Sequence, residues 1–325
     1  MAPSPRMASA LWITAPRTAS LEDEPLPLRG PGSVLVRMLY TGISRGTERL
    51  VFEGRVPVGE HERMRAPFQA GEFRFPVKYG YAAVGQVEDG PADCVGKRVF
   101  LLHPHQTRVV VPEDCLTEVP DGVPTRRAVL AANMETALTI AWDGGIGPGD
   151  RVAVVGAGVI GALTAHLAGR IAGTEVTLVD IDPARARLAA ALGVRFALPD
   201  AVPTACDVVV HASATADGLS TAVAAAGFEA TIVEASWYGD TDVAARLGGA
   251  FHSRRLRIVG SQVGHVPPAR RARWSNERRL VTALSLLADD RLDALISGET
   301  AFADAAGAYG AVLDAPETLC HVFRY

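Results

Sequence analysis

The chain has 325 residues, of which 48% are hydrophobic, and its formal net charge at pH 7 is −4. A chain of this length can bury a substantial core and is expected to form about two domains. The small negative charge gives no reason to expect nucleic acid or an anionic membrane as a partner. No apolar stretch approaches the roughly 20 residues that a transmembrane helix needs.

The four cysteines are far apart in the sequence and form no CxxC pair. This spacing argues against a zinc ribbon or a disulfide scaffold and is typical of a protein in a reducing compartment. The N-terminal segment has only a brief apolar run and no convincing cleavage signature, so a signal peptide is not expected. These features together predict a cytoplasmic protein.

Short β-branched runs separated by glycine and proline fill the first 130 residues: SVLVRML, AAVGQVE, KRVFLL and TRVVVP. They predict a β-rich unit of short strands and long loops. The first of these runs leads directly into the polar segment TGISRGTERL at positions 41–50. So dense a polar cluster beside a strand end is either an elaborate turn or part of a reaction site.

From about Pro148 the sequence alternates between apolar strands and helical segments. RVAVVGAG, EVTLVDID, CDVVVHAS, EATIVEAS and LRIVGSQV read as strands, with helical segments such as GVIGALTAHLAGRIAG and PARARLAAALG between them. This alternation predicts an α/β domain with a doubly wound parallel sheet. After Pro267 an arginine-rich helix, NERRLVTALSLLADD, precedes a short apolar segment, LCHVFRY.

A glycine motif lies between the first strand of this domain and the helix that follows it. Gly156 permits a tight turn, Gly158 lets a pyrophosphate approach the backbone, and Gly161 allows close packing of helix on strand. The alternative is a glycine turn that binds nothing. The predicted contacts of a dinucleotide on this loop are Gly156, Gly158, Val159, Ile160 and Gly161.

Asp180 closes the second strand at the distance expected for a carboxylate that binds the adenosine ribose. Its charge would repel a 2′-phosphate, so NAD(H) is preferred over NADP(H). The alternative is that Asp180 caps the helix beginning near Pro183, although Asp182 is better placed for that role. Arg185 could bind a 2′-phosphate or could simply be solvated on a helix surface.

The whole arrangement resembles the medium-chain dehydrogenase/reductase superfamily, the relatives of alcohol dehydrogenase. The segments that carry the resemblance are VLVRMLYTGIS, FRFPVKYGYAAVGQVEDG and GDRVAVVGAGVIG. The resemblance implies a β-rich, GroES-like catalytic domain over residues 1–136, to which 268–325 returns, and a Rossmann domain over 137–267. It also implies a small-molecule substrate in an interdomain cleft and a homodimer.

The zinc-dependent members of that superfamily place a cysteine and a His-Glu pair where this sequence has Ser44, Tyr81 and Ala82. A hydroxyl, a phenol and a methyl group cannot replace a thiolate and an imidazole as ligands of Zn²⁺. Glu135 could ligate weakly, but one carboxylate does not make a site, and the four-cysteine structural lobe is missing. We therefore predict no zinc. The motifs are similar to a zinc-less branch that includes bacteriochlorophyllide hydroxyethyl dehydrogenases.

Without a metal, other groups must handle the hydroxyl proton during hydride transfer. The resemblance places Thr47 at the position of a proton relay, and Tyr81 could act as an acid, with Lys78 or Arg45 lowering its pKa. Tyr81 could equally fill the volume left by zinc, and Ser44 is either a turn residue or a substrate contact. The predicted catalytic candidates are Thr47, Tyr81, Ser44 and Glu135.

Several further residues have open assignments. Glu48 is expected to be a buried carboxylate paired with an arginine, with a catalytic role as the alternative. His103 and His105 could offer a proton route, bind a metal or lie on the surface. Thr136 is predicted to lie near the nicotinamide, and Ser213 is predicted to contact the cofactor.

Two features near the end of the nucleotide domain also have two readings each. Trp237 and Tyr238 either pack or contact substrate. The arginines between 270 and 279 are either a solvated helix face or a clamp for a phosphate or carboxylate on the substrate.

The function predicted from these residues is a zinc-independent oxidoreductase that transfers a hydride between NAD(H) and an alcohol or ketone. A first alternative is an enoyl or quinone reductase, since metal-free members of the superfamily commonly reduce activated C=C bonds. A second is a catalytically inactive nucleotide-binding protein. The polar residues retained near the missing zinc site argue against a loss of catalytic activity.

Overall fold

A computed structural model describes residues 6–325, which divide into two units. The first unit contains the chain up to Ala132 and two later segments, Leu284–Ala288 and Ile296–Tyr325. The second contains Asn133–Ala283 and Asp289–Leu295. The chain therefore leaves the first unit after Ala132 and returns to it at Leu284 and again at Ile296.

The strands and helices have the following bounds. The strands before the glycine motif are β1 (Met7–Ala15), β2 (Thr18–Pro25), β3 (Ser33–Ser44), β4 (Ala70–Gly71), β5 (Val77–Lys78), β6 (Ala83–Asp89), β7 (Arg98–Leu101), β8 (Arg108–Pro112) and β9 (Thr117–Glu118). The later strands are β10 (Arg151–Val155), β11 (Glu175–Val179), β12 (Arg195–Ala197), β13 (Cys206–His211), β14 (Ala226–Glu234), β15 (Arg257–Gly260), β16 (Ile296–Ala301) and β17 (Cys320–Arg324). The α-helices are α1 (Arg45–Phe52), α2 (Thr125–Ala128), α3 (Ala131–Gly144), α4 (Val159–Ala168), α5 (Ala186–Leu192), α6 (Ala216–Ala225), α7 (Ala250–Ser253), α8 (Pro268–Arg271), α9 (Asn276–Leu286) and α10 (Ala305–Asp314).

The first unit is built on two β-sheets. A seven-stranded sheet has the order β16-β17-β3-β6-β7-β9, with β8 also pairing with β3, and a four-stranded sheet has the order β2-β1-β5-β4. Alternate residues of β3, namely Val34, Val36 and Met38, are fully buried in the core of this unit, as expected for a strand with one face on a core. The predicted β-rich unit is confirmed.

The second unit contains one parallel six-stranded sheet in the order β12-β11-β10-β13-β14-β15. Counted from β10, this is the 3-2-1-4-5-6 order of dinucleotide-binding sheets. Val152 and Val154 of β10 pack in one apolar cluster, whereas Ala153 and Val155 pack in another. Both faces of the strand are therefore buried, as parallel sheets require, and the predicted doubly wound sheet is confirmed.

Within residues 6–325, no helix is both long enough and apolar enough to cross a membrane.

Candidate active site

The polar segment 41–50 forms the end of β3 and the start of α1. Ser44 is the last residue of β3, and its backbone N–H donates to Glu48 Oε1 at 2.7 Å. This contact satisfies a donor at the helix start that would otherwise lack a partner. Thr47 lies in the first turn of the same helix. The segment is thus a strand-to-helix junction held by a buried glutamate.

Three predicted catalytic side chains lie close together at this junction. The side chains of Ser44 and Thr47 are near enough to the Tyr81 hydroxyl to favour its ionised form. Gly80, just before it, has a φ of +128°, and a Cβ there would lie 3.0 Å from the His105 ring. A glycine at this position therefore lets the chain pass His105 and deliver Tyr81 to the two hydroxyls.

Burial raises the pKa of Tyr81 to about 12, against the opposing effect of the nearby Ser44 and Thr47 side chains, and Glu48 raises it further. The expectation that a cation lowers this pKa is wrong. The Lys78 ammonium is instead bound by Glu24 and by Gln106 Oε1, and Arg45 Nε donates to a backbone carbonyl. Tyr81 is therefore a neutral O–H donor at physiological pH.

Glu48 is fully buried at the centre of a polar network. Its Oε2 accepts from the Tyr309 hydroxyl at 2.7 Å and lies 2.9 Å from His105 Nε2. His105 Nδ1 lies 2.7 Å from Thr41 Oγ1, which is 3.0 Å from the Tyr325 hydroxyl. The predicted arginine partner of Glu48 is thus wrong, because its partner is His105.

Of the alternatives for the two histidines, the surface position is wrong. His103 is 6% exposed and His105 is completely buried. His103 stacks on Phe68 with ring centroids 5.3 Å apart, and burial lowers its pKa to about 4. His105, in contrast, joins the Glu48 network and continues it to Thr41, so only His105 lies on a hydrogen-bonded route.

The donor groups at this junction do not fit zinc. Ser44, Thr47 and Tyr81 offer hydroxyls, whereas Zn²⁺ in proteins prefers thiolate, imidazole and carboxylate ligands. The Glu48 carboxylate and both His105 nitrogens already have hydrogen-bond partners. Among residues 6–325, no group of three or more histidine, cysteine, aspartate or glutamate side chains could hold a metal ion.

The glycine loop of the second unit has the geometry that a dinucleotide requires. Gly156 has a φ of +108°, and a Cβ on Gly161 would lie only 1.9 Å from the Gly156 carbonyl oxygen. A Cβ on Gly158 would meet no protein atom within 4 Å. Gly158 caps the N-terminus of α4, where Val159 and Ile160 form the first turn. The loop therefore leaves open space beside a helix N-terminus, which suits a pyrophosphate.

Asp180 follows β11 and is tied to this loop. Its Oδ2 accepts from the N–H of Ala157 at 2.7 Å, and its Oδ1 accepts from the N–H of Asp182 at 2.9 Å. Asp182, with Pro183 after it, caps the next short helix, as the sequence indicated. Because a carboxylate oxygen has two lone pairs, Asp180 can still accept hydrogen bonds from ribose hydroxyls.

Comparisons with known proteins agree with this arrangement. The D-guloside 3-dehydrogenase of Escherichia coli K12 is 26% identical over 94% of this chain and 95% of that protein. The crystal structure of L-idonate 5-dehydrogenase from E. coli has a TM-score of 0.81, with 16% identity over 99% of each chain. No family model matches. Over nearly its whole length the chain is thus similar to medium-chain dehydrogenases/reductases. It is an oxidoreductase of the alcohol dehydrogenase-like type.

A second relative, the 2-desacetyl-2-hydroxyethyl bacteriochlorophyllide A dehydrogenase of Cereibacter sphaeroides, is 31% identical to this chain over 96 residues. That alignment covers 29% of the chain and 27% of the relative. The similarity to the pigment enzymes is therefore restricted to a part of the chain.

Glu135 lies on α3 in the second unit and is held by Arg279. Arg279 Nε donates to Glu135 Oε1 at 2.8 Å, and both side chains are buried. Burial raises the pKa of Glu135, although Arg279 acts in the opposite direction. Glu135 is thus engaged in an ion pair. Thr136, its neighbour on α3, is partly exposed, and its predicted place near the nicotinamide stays a prediction.

Two further arginines of the cluster, Arg270 and Arg278, lie on tryptophan rings. Arg270 lies 5.5 Å from the Trp142 ring centroid and Arg278 lies 4.0 Å from that of Trp274. The two tryptophan rings are 4.7 Å apart. This ladder is a surface feature of α3, α8 and α9, in contrast to the buried Arg279.

Sequence reasoning missed a polar cluster at the carboxyl ends of β13 and β14. His211 ends β13 and Glu234 ends β14, and the two residues are directly paired across the sheet. His211 Nδ1 lies 2.7 Å from Glu234 Oε2, and His211 Nε2 lies 2.7 Å from Ser213 Oγ. The Tyr238 hydroxyl donates to Glu234 Oε2 at 3.0 Å, whereas Trp237 is partly exposed. Polar residues that end two adjacent parallel strands were the signal that could have revealed this cluster.

Proposed function

We propose that the chain is a zinc-independent oxidoreductase that transfers a hydride between NAD(H) and an alcohol or ketone. The observation that carries this proposal is the group of three hydroxyls, those of Tyr81, Ser44 and Thr47, at the junction of β3 and α1. A carbonyl that receives a hydride becomes an alkoxide and needs a proton donor. A phenol that stays protonated at neutral pH, with two further hydroxyls beside it, supplies that donor.

Tyr81 is the proposed acid in the reduction direction. Ser44 and Thr47 flank its hydroxyl, and the Ser44 N–H bond to Glu48 fixes the turn that carries both. The Glu48–His105 pair holds the network behind the site.

The proposed cofactor site uses Gly156, Gly158, Gly161 and Asp180, with the N-terminus of α4 facing the pyrophosphate. The nicotinamide would supply or accept the hydride. We favour NAD(H) because the Asp180 carboxylate, already fixed by two backbone N–H groups, would repel a 2′-phosphate. Ser213 and Thr136 are further proposed contacts.

Zinc independence is supported by the chemistry of the donors. Oxygen atoms of serine, threonine and tyrosine hydroxyls surround the site where zinc enzymes of this superfamily use thiolate and imidazole. An expressed protein with stoichiometric zinc, measured by plasma mass spectrometry after extensive dialysis, would contradict this part of the proposal.

The substrate is proposed to be a small molecule with a secondary alcohol or ketone. The relative named D-guloside 3-dehydrogenase makes glycosides and their keto forms the first compounds to test. Compounds with and without a carboxylate or phosphate would test the arginine clamp. Reduction of an activated C=C bond without any carbonyl reduction would favour an enoyl or quinone reductase instead.

The test of the proposed function combines binding and turnover. NADH and NADPH would be titrated by fluorescence, and a panel of sugars, alcohols and ketones would be assayed at 340 nm. We expect tighter NADH binding and turnover of one carbinol class that is lost in Tyr81→Phe. Binding of NADH without turnover of any carbinol, ketone or enone would support an inactive nucleotide-binding protein.

We also propose a homodimer in the cytoplasm. β15 is the edge strand of the six-stranded sheet in the described part of the chain, and Ile258 within it is 37% exposed. An apolar edge strand can pair with a second copy. All four cysteines are free thiols, which suits a reducing compartment. Light scattering of the purified protein would test the dimer, and a monomer at micromolar concentration would contradict it.

A further inference from the structure

A chain of hydrogen bonds at the carboxyl edge of the parallel sheet runs in one direction and ends at a carboxylate. Thr215 Oγ1 accepts from the Gly218 N–H at 3.0 Å and lies 3.0 Å from Ser213 Oγ. Ser213 Oγ lies 2.7 Å from His211 Nε2, and His211 Nδ1 lies 2.7 Å from Glu234 Oε2. The two 2.7 Å distances to the His211 ring are at the short end for hydrogen bonds between nitrogen and oxygen.

The position of each proton in this series of hydrogen bonds follows from the protonation state of Glu234. Although burial opposes it, hydrogen bonds from His211 and Ser236 lower the pKa of Glu234, so this carboxylate is ionised at neutral pH and can only accept. A neutral His211 beside this carboxylate carries its proton on Nδ1, which leaves Nε2 as an acceptor for the Ser213 O–H. Tyr238, the other titratable group that contacts His211, donates to Glu234.

The neighbouring backbone makes room for this arrangement. A Cβ on Gly218 would lie 2.0 Å from Ser213 Oγ and 2.8 Å from His211 Nε2. Ala214, directly after Ser213, has a φ of +54°, which costs energy for a residue other than glycine. His211 is fully buried, whereas Ser213 is partly exposed. The hydroxyl end of this series of hydrogen bonds can therefore meet a ligand, whereas His211 cannot be reached directly.

Ser213 borders the glycine loop. A Cβ on Gly156 would lie 2.8 Å from both the Ala212 carbonyl carbon and the Ser213 nitrogen. In sheets with this strand order, ligands bind at the carboxyl ends of the strands where the order reverses, here between β10 and β13. The exposed Ser213 hydroxyl thus lies at the ligand-binding edge of the sheet.

We propose that Ser213, His211 and Glu234 form a base relay that takes a proton from a ligand hydroxyl bound at this edge. The ligand hydroxyl gives its proton to Ser213 Oγ while the Ser213 proton moves to His211 Nε2. The resulting imidazolium is stabilised by Glu234, and the ligand is left as an alkoxide. The hydroxyl belongs either to a carbinol substrate or to the ribose of a bound dinucleotide. The assignment of the hydroxyl to a carbinol or a dinucleotide rests on the proposed function, whereas the relay itself does not.

The relay is tested without any turnover by the reactivity of Ser213. In a reaction with diisopropyl fluorophosphate, Ser213 Oγ would form a bond to phosphorus, fluoride would leave, and the serine proton would pass to His211. We expect mass spectrometry to find the phosphoryl group on Ser213, with labelling at least tenfold slower in His211→Gln and absent in Ser213→Ala. Ser220→Ala, which removes a nearby hydroxyl on α6 bonded to a backbone carbonyl, is the matched control and should label normally.

Absence of label on Ser213 in the wild-type chain, or labelling that is unchanged in His211→Gln, would overturn the relay. Nitrogen-15 NMR of histidine-labelled protein gives a second readout that does not depend on the reagent. We expect the Nδ1–H form of His211 at pH 7, and the Nε2–H form would also overturn the proposal.

Two further measurements distinguish the sources of the hydroxyl. If it is a ribose hydroxyl, Ser213→Ala weakens NADH binding at least tenfold, measured by fluorescence titration. If it is a carbinol, the same variant binds NADH within twofold of wild type but loses about 10²-fold in kcat for alcohol oxidation. Unchanged NADH affinity together with unchanged kcat and pH profile would overturn the proposal, even where the proposed oxidoreductase activity itself is found.

Discussion

Arg279 and Glu135 are 144 positions apart in the sequence, yet Arg279 Nε lies 2.8 Å from Glu135 Oε1 and both side chains are buried. Arg279 also donates to Thr139 Oγ1 and to the backbone carbonyls of Val263 and His265. One guanidinium therefore joins α3, α9 and the loop after β15. An arginine with this many acceptors is a structural centre of the second unit.

Replacing Arg279 with methionine should lower the free energy of unfolding of the second unit by about 3 kcal/mol, because it leaves the Glu135 carboxylate buried without a partner. Urea denaturation followed by tryptophan fluorescence would measure the change. The matched control is Arg278→Met, the adjacent exposed arginine over Trp274, for which we expect a loss below about 1 kcal/mol. Equal losses in the two variants would contradict the structural assignment of Arg279.

Tyr81→Phe should lower the rate of carbonyl reduction about 10²- to 10³-fold, since it removes the hydroxyl that donates to the developing alkoxide. NADH affinity should stay within twofold, because Tyr81 belongs to the first unit and the glycine loop to the second. With a pKa of about 12, the wild-type hydroxyl keeps its proton up to about pH 10. Pre-steady-state kinetics with a known substrate would measure this step, and a variant as fast as wild type would leave Tyr81 a packing role.

The sequence predicted those features that depend on local pattern. Strand–helix alternation and glycine spacing predicted the parallel sheet and the loop at Gly156, and the strand before TGIS predicted the junction at Ser44. Such features depend on residues that are close together in the sequence, and they also follow from the resemblance to a superfamily with the same strand order.

The partners of buried charged groups could not be predicted in the same way. Glu48 was expected to meet an arginine but meets His105, and Arg279 was grouped with surface arginines although it is buried. Both contacts join residues that are more than 50 positions apart. Local pattern shows that a residue is charged, but only the packing of distant elements decides which charge it faces.

The glycine loop allows a matched pair of substitutions. Gly158→Ala places a methyl group in open space, so the melting temperature should stay within about 1 °C. NADH binding should nevertheless weaken at least tenfold, since the methyl group occupies the space predicted for the pyrophosphate. Gly161→Ala places its methyl group 1.9 Å from the Gly156 carbonyl oxygen and should lower both the melting temperature and NADH affinity. Differential scanning fluorimetry and NADH titration would separate the two effects, and normal NADH binding by Gly158→Ala would refute the assigned pyrophosphate position.

His103 should make the first unit sensitive to acid. Burial, with smaller contributions from Lys78 and His105, lowers its pKa from 6.5 to about 4 in the folded chain. The unfolded chain therefore binds a proton at a higher pH than the folded chain does. The stability due to neutral His103 is complete above pH 6.5 and is lost as pH falls toward 4, by about 2–3 kcal/mol.

His103→Gln removes this titration, so the difference in unfolding free energy between pH 7 and pH 4.5 should shrink by about 2 kcal/mol. The absolute stability of the variant can fall at both pH values without affecting the test, because only the difference between them depends on the histidine proton. His252→Gln, at an exposed histidine, is the control and should leave the difference unchanged. Urea denaturation at the two pH values measures both variants. If the His103 variant keeps the full pH dependence of the wild type, the buried imidazole is not the group that responds to acid.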